Sequence, residues 1–166
     1  MDDSFALYTI GHSNRETQAF IALLRKFVIT TLVDVRSQPY SQWAHQFNRE
    51  VLKRDLADAG IGYVYMGATL GGRPTDPDVY AAGHVRPDYK LMAKNLAYQA
   101  TLRKMVTLAE DQTVTVMCSE DDHAGCHRHL LITQSLLDMG LTVGHIQTDG
   151  TCIAGAYEPE QLSLFG

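Results

Sequence analysis

The sequence predicts an α/β fold: a single three-layer domain with a mainly parallel five-stranded sheet, Rossmann-like or flavodoxin-like. Three observations lead there. Short β-branched apolar runs alternate with stretches of helical period along the chain. The strand-like runs are apolar almost throughout, as expected of parallel strands covered by helices on both faces. Polar and reactive residues gather just after the predicted strands, where open α/β sheets bind ligands. A chain of 166 residues is long enough for one good core. Residues 1–150 read as the α/β domain and 151–166 as a C-terminal tail.

Ala6-Leu7-Tyr8-Thr9-Ile10 reads as the first strand. Ser13 with Glu16 three residues later fits a capping box, and Phe20, Leu23, Leu24 and Phe27 follow at helical spacing. Thr30 to Val35 is a second buried strand. Asn48 is placed to cap a helix with Val51, Leu52 and Leu56 on one face, ended by Gly60. Tyr63 to Met66 is a third strand. Gly67 to Pro87 has no period and holds Gly71, Gly72, Pro74, Pro77 and Gly83; a loop of that length in a compact domain is usually functional. Asp88 then starts a long helix with Leu91, Tyr98, Leu102, Met105 and Ala109 along one side. Thr113 to Met117 is the fourth strand, Cys126 to Met139 a helix ended by Gly140, and Thr142 to Ile146 the fifth strand. With the strand order 3-2-1-4-5, the residues following the first and fourth strands share one cleft.

Composition narrows the function classes. The net charge of -5 argues against a general nucleic-acid coat. The sign is uneven, however. Arg36 to Lys104 holds ten Lys/Arg against six Asp/Glu, whereas Asp111 onward holds only Arg128 against eight acidic residues. A local positive surface is therefore compatible with an acidic total. No apolar run approaches the ~20 residues of a membrane span, and Met1-Asp2-Asp3-Ser4 lacks the features of a signal peptide. The expectation is a cytoplasmic protein without membrane partners, whose three cysteines are reduced.

The strand ends carry the chemistry. Gly11-His12-Ser13 follows the first strand, Asp34-Val35-Arg36-Ser37 the second, and Cys118-Ser119-Glu120 through Cys126-His127-Arg128 the fourth. Arg36 and Arg128 suit bidentate binding of an anionic oxygen group. Ser13, Ser37, Arg73, His127 and the helix start near Cys126 add further anion contacts. His12 suits acid/base work near neutral pH, and Asp34 and Glu120 are acid/base or nucleophilic carboxylates. Cys126, at a helix start beside Arg128, suits a lowered thiol pKa. Plainer roles stand beside these. Asp34 and Arg36 pair and pin a loop, His12 bonds the following turn, and Cys118 is a small buried hydrophobe at a strand end.

Cys118, His123, Cys126, His127 and His129 supply five metal-ligating side chains within twelve residues, but no C-x-x-C pair. Neither metal nor any other cofactor is required by the sequence. A cysteine phosphatase loop from Cys118 would need arginine where Ala124 stands. Dinucleotide, P-loop and zinc-deaminase motifs are missing.

Taken together, Tyr8-Thr9-Ile10-Gly11-His12-Ser13, Asp34-Val35-Arg36, Leu70-Gly71-Gly72-Arg73, Cys118-x-Glu120 and Cys126-His127-Arg128 resemble the bacterial family called domain of unknown function 488. The similarity spans about residues 5 to 150. Some members carry a DNA-repair label, which the resemblance passes on as an expectation. Many relatives have a proline in the loop where this chain has Asp121-Asp122-His123-Ala124-Gly125. The tail carries a second resemblance. Gln161-Leu162-Ser163-Leu164-Phe165 is similar to the pentapeptide by which bacterial DNA-maintenance proteins dock on the DNA polymerase sliding clamp. In such docking Leu162 and the Leu164-Phe165 pair fill apolar pockets and Gln161 fixes the register. The alternative is a tail that folds back on its own core.

Two functions follow as expectations. The first is a DNA-repair or processing protein tethered to the sliding clamp, its cleft taking a phosphate, DNA, a nucleotide or a damaged base. His12, Asp34, Glu120 and Cys126 would serve hydrolysis of a phosphodiester or glycosidic bond. The second is a small-molecule enzyme with a cysteine nucleophile, in sulfur transfer or thiol hydrolysis. A non-catalytic clamp adaptor is the remaining reading.

Overall fold

A computed structural model describes residues 4–159; the pentapeptide Gln161 to Phe165 lies outside the described residues. One sheet of six strands runs β3-β2-β4-β1-β5-β6. Its strands are β1 (Leu7–Gly11), β2 (Thr31–Asp34), β3 (Gly62–Tyr65), β4 (Val114–Cys118), β5 (Val143–Ile146) and β6 (Cys152–Ala154). The first five are parallel, and β6 pairs antiparallel with β5. The fold is therefore the expected α/β domain with one strand more. That strand comes from residues assigned to the tail by sequence.

Side chains alternate between two cores, one on each face of the sheet. Leu7, Val33, Val114, Val116 and Val143 face a cluster closed by α4 (Tyr89–Lys94), α5 (Leu96–Asp111) and α6 (Gln134–Asp138), through Met92, Tyr98, Leu102 and Leu136. Tyr8, Ile10, Leu32, Met117 and Ile146 face the other cluster. That one is closed by α1 (Thr17–Lys26) and α2 (Arg49–Asp58), through Phe20, Leu24, Leu52 and Leu56. Apolar residues at both parities are what a doubly covered strand requires.

The strand order differs from the expected 3-2-1-4-5: β4 sits between β2 and β1. Asp34 pairs with Met117 across β2 and β4, and Gly11 pairs with Cys118 across β1 and β4. The chain leaving β1 crosses to β2 on the α1 face, and the chain leaving β4 crosses to β5 on the α6 face. Three strand ends therefore share one mouth, with Cys118 at its centre.

Several helices begin or break away from the places the sequence suggests. The start of α1 is Thr17, with Glu16 as N-cap and no side-chain cap. Ser13 instead takes the left-handed region (φ 47) and its N–H donates to the Ser119 carbonyl at 3.0 Å, so no capping box forms. The helix expected from Asp88 is two. Asn95 interrupts it and caps α5 by accepting the Tyr98 N–H at 3.1 Å. A short helix, α3 (Gly67–Leu70), opens the aperiodic segment. The helix after Cys126 begins as a π-helical stretch, Arg128–Thr133, before α6; such widened turns are frequent at functional sites. Among the described residues no helix is long and apolar enough to cross a membrane.

Candidate functional site: a thiol pair on the floor of an arginine-lined cavity

At the end of β2, the fully buried Asp34 accepts four hydrogen bonds. Arg36 supplies Nε at 2.9 Å, Nη2 at 2.8 Å and its main-chain N–H at 3.1 Å, and the Tyr63 hydroxyl supplies the fourth at 2.6 Å. Burial and then this bond to Asp34 push the Tyr63 hydroxyl far above its ordinary value. Asp34 thus aims Arg36, leaving the other face of the guanidinium for the site. Arg36 Nη1 donates to His12 Nε2 at 3.2 Å, while His12 Nδ1 donates to the Ser13 carbonyl at 2.6 Å. The neutral ring with its proton on Nδ1 satisfies both contacts. Stacked on Phe47 at 4.6 Å, His12 is held down to about 4, chiefly by burial and, after the opposing Ser13 carbonyl, by Arg36. Its free lone pair is already engaged.

Two thiols lie between these strand ends. Cys118 Sγ and Cys126 Sγ are 2.9 Å apart and not bonded. Arg128 Nε donates to Cys118 Sγ at 3.0 Å. Burial opposes ionisation of Cys118, but the Cys126 thiol and the Arg128 guanidinium outweigh it and bring the group down to about 7. The same contact with Cys118, followed by burial, pushes the Cys126 thiol far up. The pair is therefore asymmetric: the Arg128 guanidinium, in contact with Cys118, favours the thiolate on that sulfur. His127 stands beside Cys126. Its Nε2 donates to the Val35 carbonyl at 3.1 Å, which leaves the Nδ1 lone pair facing Cys126 Sγ at 3.7 Å. Burial keeps His127 neutral, with its pKa lowered to about 4.

Arg128 does not reach the cavity. It is completely buried. Besides Cys118, it donates to Thr9 Oγ1 at 2.7 Å and to the Glu120 and Asp121 carbonyls at 2.9 Å each. The expected two-arginine clamp of Arg36 and Arg128 is not formed. Adjacent residues at the start of a helix point in different directions, so His127 faces the cavity while Arg128 enters the core.

The cavity above the thiols measures about 680 Å³, within the ~300–1,000 Å³ usual for small-molecule sites. Arg36, Arg73 and Arg86 line it against one carboxylate, Glu120, and Tyr40, Tyr80 and Tyr89 add aromatic surface. Of the residues expected from sequence, His12, Arg36, Ser37, Arg73, Glu120, Cys126 and His127 line it. Ser13, Asp34 and Arg128 do not. Ser37 Oγ accepts the Arg73 N–H at 2.8 Å and so fixes the approach of that loop. Sequence reasoning missed Arg86 and assigned Cys118 to packing. The available signals were an arginine within the long aperiodic segment and a cysteine in the last position of a central strand.

Two glycines explain the close fit of the loops. A Cβ on Gly11 would lie 1.8 Å from the Glu120 carbonyl oxygen, which is backbone and cannot move aside. One on Gly72 would lie 3.0 Å from His127 Nδ1. Small residues at these points let the β4 loop cross β1 and let the Gly71-Gly72 turn press on the His127 ring.

The histidines and cysteines considered for metal are split between two places. Cys118, Cys126 and His127 border the cavity, whereas His123 and His129 group with His145 behind it. The His123 and His145 rings stack at 4.0 Å, and His129 Nδ1 meets His145 Nε2 at 3.2 Å. Among the described residues no group of three His, Cys, Asp or Glu side chains is arranged to hold a metal ion.

A search of curated proteins and a search of solved structures each returned no match. The family model described as Domain of unknown function DUF488 matches residues 16–134. That stretch contains β2, β3, β4, both thiols and all the arginines of the cavity, and on this match the chain belongs to the DUF488 family.

Proposed function

We propose that this protein is an enzyme that uses the Cys118 thiolate as nucleophile on a small organic anion. The observation that carries the reading is the placement of Cys118 Sγ: on the floor of the cavity, 3.0 Å from Arg128 Nε and below Arg36, Arg73 and Arg86. A buried guanidinium against a thiol stabilises the thiolate, the reactive form. The cavity arginines would recognise carboxylate or phosphate oxygens, and the tyrosines a flat or apolar portion of the substrate. The geometry favours this over carboxylate-driven hydrolysis of a phosphodiester or glycosidic bond. Asp34 is consumed by its four donors and lies outside the cavity, and the acceptor nitrogen of His12 is taken by Arg36.

The test is alkylation of Cys118 by iodoacetamide across pH. We expect a rate profile with its midpoint near 7, about tenfold faster at neutral pH than a free thiol, and slowed by millimolar aromatic carboxylates or phosphates. A midpoint in the ordinary thiol range, with no protection by such anions, would sink the reading.

The tail supports a separate proposal about location. The pentapeptide Gln161 to Phe165 fits docking on a bacterial sliding clamp, and a tether raises local concentration without needing an affinity of the body for DNA. A chain of net charge -5 gains from such delivery. Removing residues 161–166 is expected to abolish retention on immobilised clamp while thermal unfolding of the body stays unchanged. Equal retention of the full and shortened chains would remove the clamp from the account.

A further inference from the structure

We infer that Cys118 and Cys126 are the attacking and resolving thiols of a thiol–disulfide exchange, whose substrate is a small disulfide carrying negative charge near its S–S bond. This rests on the reading of Cys118 as nucleophile and adds the reaction and substrate class. A lone thiol nucleophile has no need of a second thiol in contact with it. Here the second lies 2.9 Å away, and both open on the same cavity. A disulfide bond measures about 2.05 Å, so oxidation needs only a small approach of two sulfurs that already face each other. Their partners differ in the sense the two roles require. Arg128 Nε contacts Cys118, stabilising the anion that attacks, and the neutral His127 Nδ1 faces Cys126, where it orients the thiol that resolves. The arginines of the cavity hold the charged part of the disulfide above the pair.

The steps balance as follows. The Cys118 thiolate attacks one sulfur of the substrate, a bond forms between them, and the substrate S–S bond breaks. One half leaves as a thiolate with the bonding pair and takes a proton from water. Cys126, oriented by its contact with His127 Nδ1, then gives its proton to water and attacks Cys118 Sγ. The Cys118–Cys126 bond forms and the second half leaves as a thiolate. The substrate disulfide is reduced by two electrons and the protein dithiol is oxidised by two. An external dithiol reductant closes the cycle. Contact between the two sulfurs makes the second step intramolecular, which favours it strongly over loss of the adduct to solvent.

The probe is dithiobis-nitrobenzoate, an aryl disulfide bearing carboxylates, applied to the full chain with Cys152→Ser so that the half-buried third thiol does not react. We expect two aryl thiolates released per chain, no adduct retained, and a Cys118–Cys126 disulfide on peptide mapping. With Cys126→Ser added, one thiolate is released and the adduct stays on Cys118. Cystamine, a cationic disulfide of smaller size, is expected to react at least about tenfold more slowly than an anionic disulfide of the same length, because the lining charge is reversed toward it. Fast release of a single thiolate with a stable Cys118 adduct in the Cys152→Ser chain would overturn the exchange while leaving Cys118 a nucleophile. Reaction at Cys118 no faster than at a free thiol would overturn the nucleophile itself. An adduct on Cys126 would reverse the assignment, and equal rates with anionic and cationic disulfides would remove the charged-substrate class. The Cys152→Ser readout alone decides the exchange, because it leaves both members of the pair in place.

Discussion

Lowering the pH from neutrality to 5 is expected to remove on the order of 6 kcal/mol of folding stability, comparable with the whole stability of a marginal domain. Two buried histidines, His12 and His145, and the partly buried His127 set this figure. His12 and His127 are held down to about 4 and His145 to about 2, against an ordinary value of 6.5. Burial is the first cause in each case. Arg36 and Arg15 add to it at His12, Arg128 at His127, and His123, Arg128 and His129 at His145. The folded chain keeps these rings neutral where the unfolded chain protonates them. A folded-state value below the unfolded one means the stability is present above about 6.5 and is lost as pH falls toward the folded values. At pH 5 each histidine costs about 2 kcal/mol, from 1.36 kcal/mol per pH unit. Urea unfolding at a series of pH values measures it directly. The midpoint should fall steeply below about 6.5, before the carboxylates begin to titrate. A midpoint that stays flat down to pH 5 would show that the three rings are not held neutral by the fold.

The same histidines show what the sequence made legible and what it did not. Strand positions were readable, because short runs rich in β-branched and apolar residues, such as Val114-Thr115-Val116-Met117, suit a strand covered on both faces. Strand order was not, since nothing local encodes which parallel strand lies beside which, and the intercalation of β4 between β2 and β1 is a tertiary choice. The sixth strand is three residues long, with two of its residues exposed, and offers no period to detect. The break at Asn95 was hidden by apolar spacing that runs through it from Leu91 to Met105, although Leu91 proves to be exposed. At the site, the strand-end rule placed His12, Arg36, Cys118 and Cys126 together. Direction was the illegible part. Arg128 sits one residue from His127, yet enters the core through a π-helical turn that composition does not announce. His145 belongs to a strand with no motif around it, and only the pairing of β1 with β5 brings it to Thr9.

Arg128→Met is expected to cost about 3–5 kcal/mol and to return the Cys118 thiol to its ordinary titration range or above. Arg128 is fully buried, and its partners are a thiol, a hydroxyl and two main-chain carbonyls. Among the described residues no carboxylate pairs with it. Its charge is therefore compensated best when Cys118 is ionised, which is the physical reason that the thiolate resides there. The arginine also starts a donor chain that runs outward. Arg128 donates to Thr9 Oγ1, which meets His145 Nδ1 at 2.5 Å; His145 Nε2 meets His129 Nδ1 at 3.2 Å; and His129 Nε2 meets Glu158 at 2.5 Å. With every histidine neutral, each group can accept from the one before and donate to the next, so the chain ends on a carboxylate. Removing the first donor leaves the Asp121 carbonyl without its donor, leaves the Glu120 carbonyl only its weak contact with the Cys118 thiol, and takes the guanidinium away from Cys118. Both arms are measurable on one protein, stability by urea unfolding and the thiol by the pH profile of iodoacetamide labelling. Arg128→Lys separates them. An ammonium restores the positive charge but cannot reproduce the planar fork that reaches Cys118, Thr9 and two carbonyls at once. It should recover part of the thiol shift and little of the stability. A methionine variant as stable as the parent, with Cys118 titrating unchanged, would mean that the buried guanidinium neither supports the loop nor holds the thiolate.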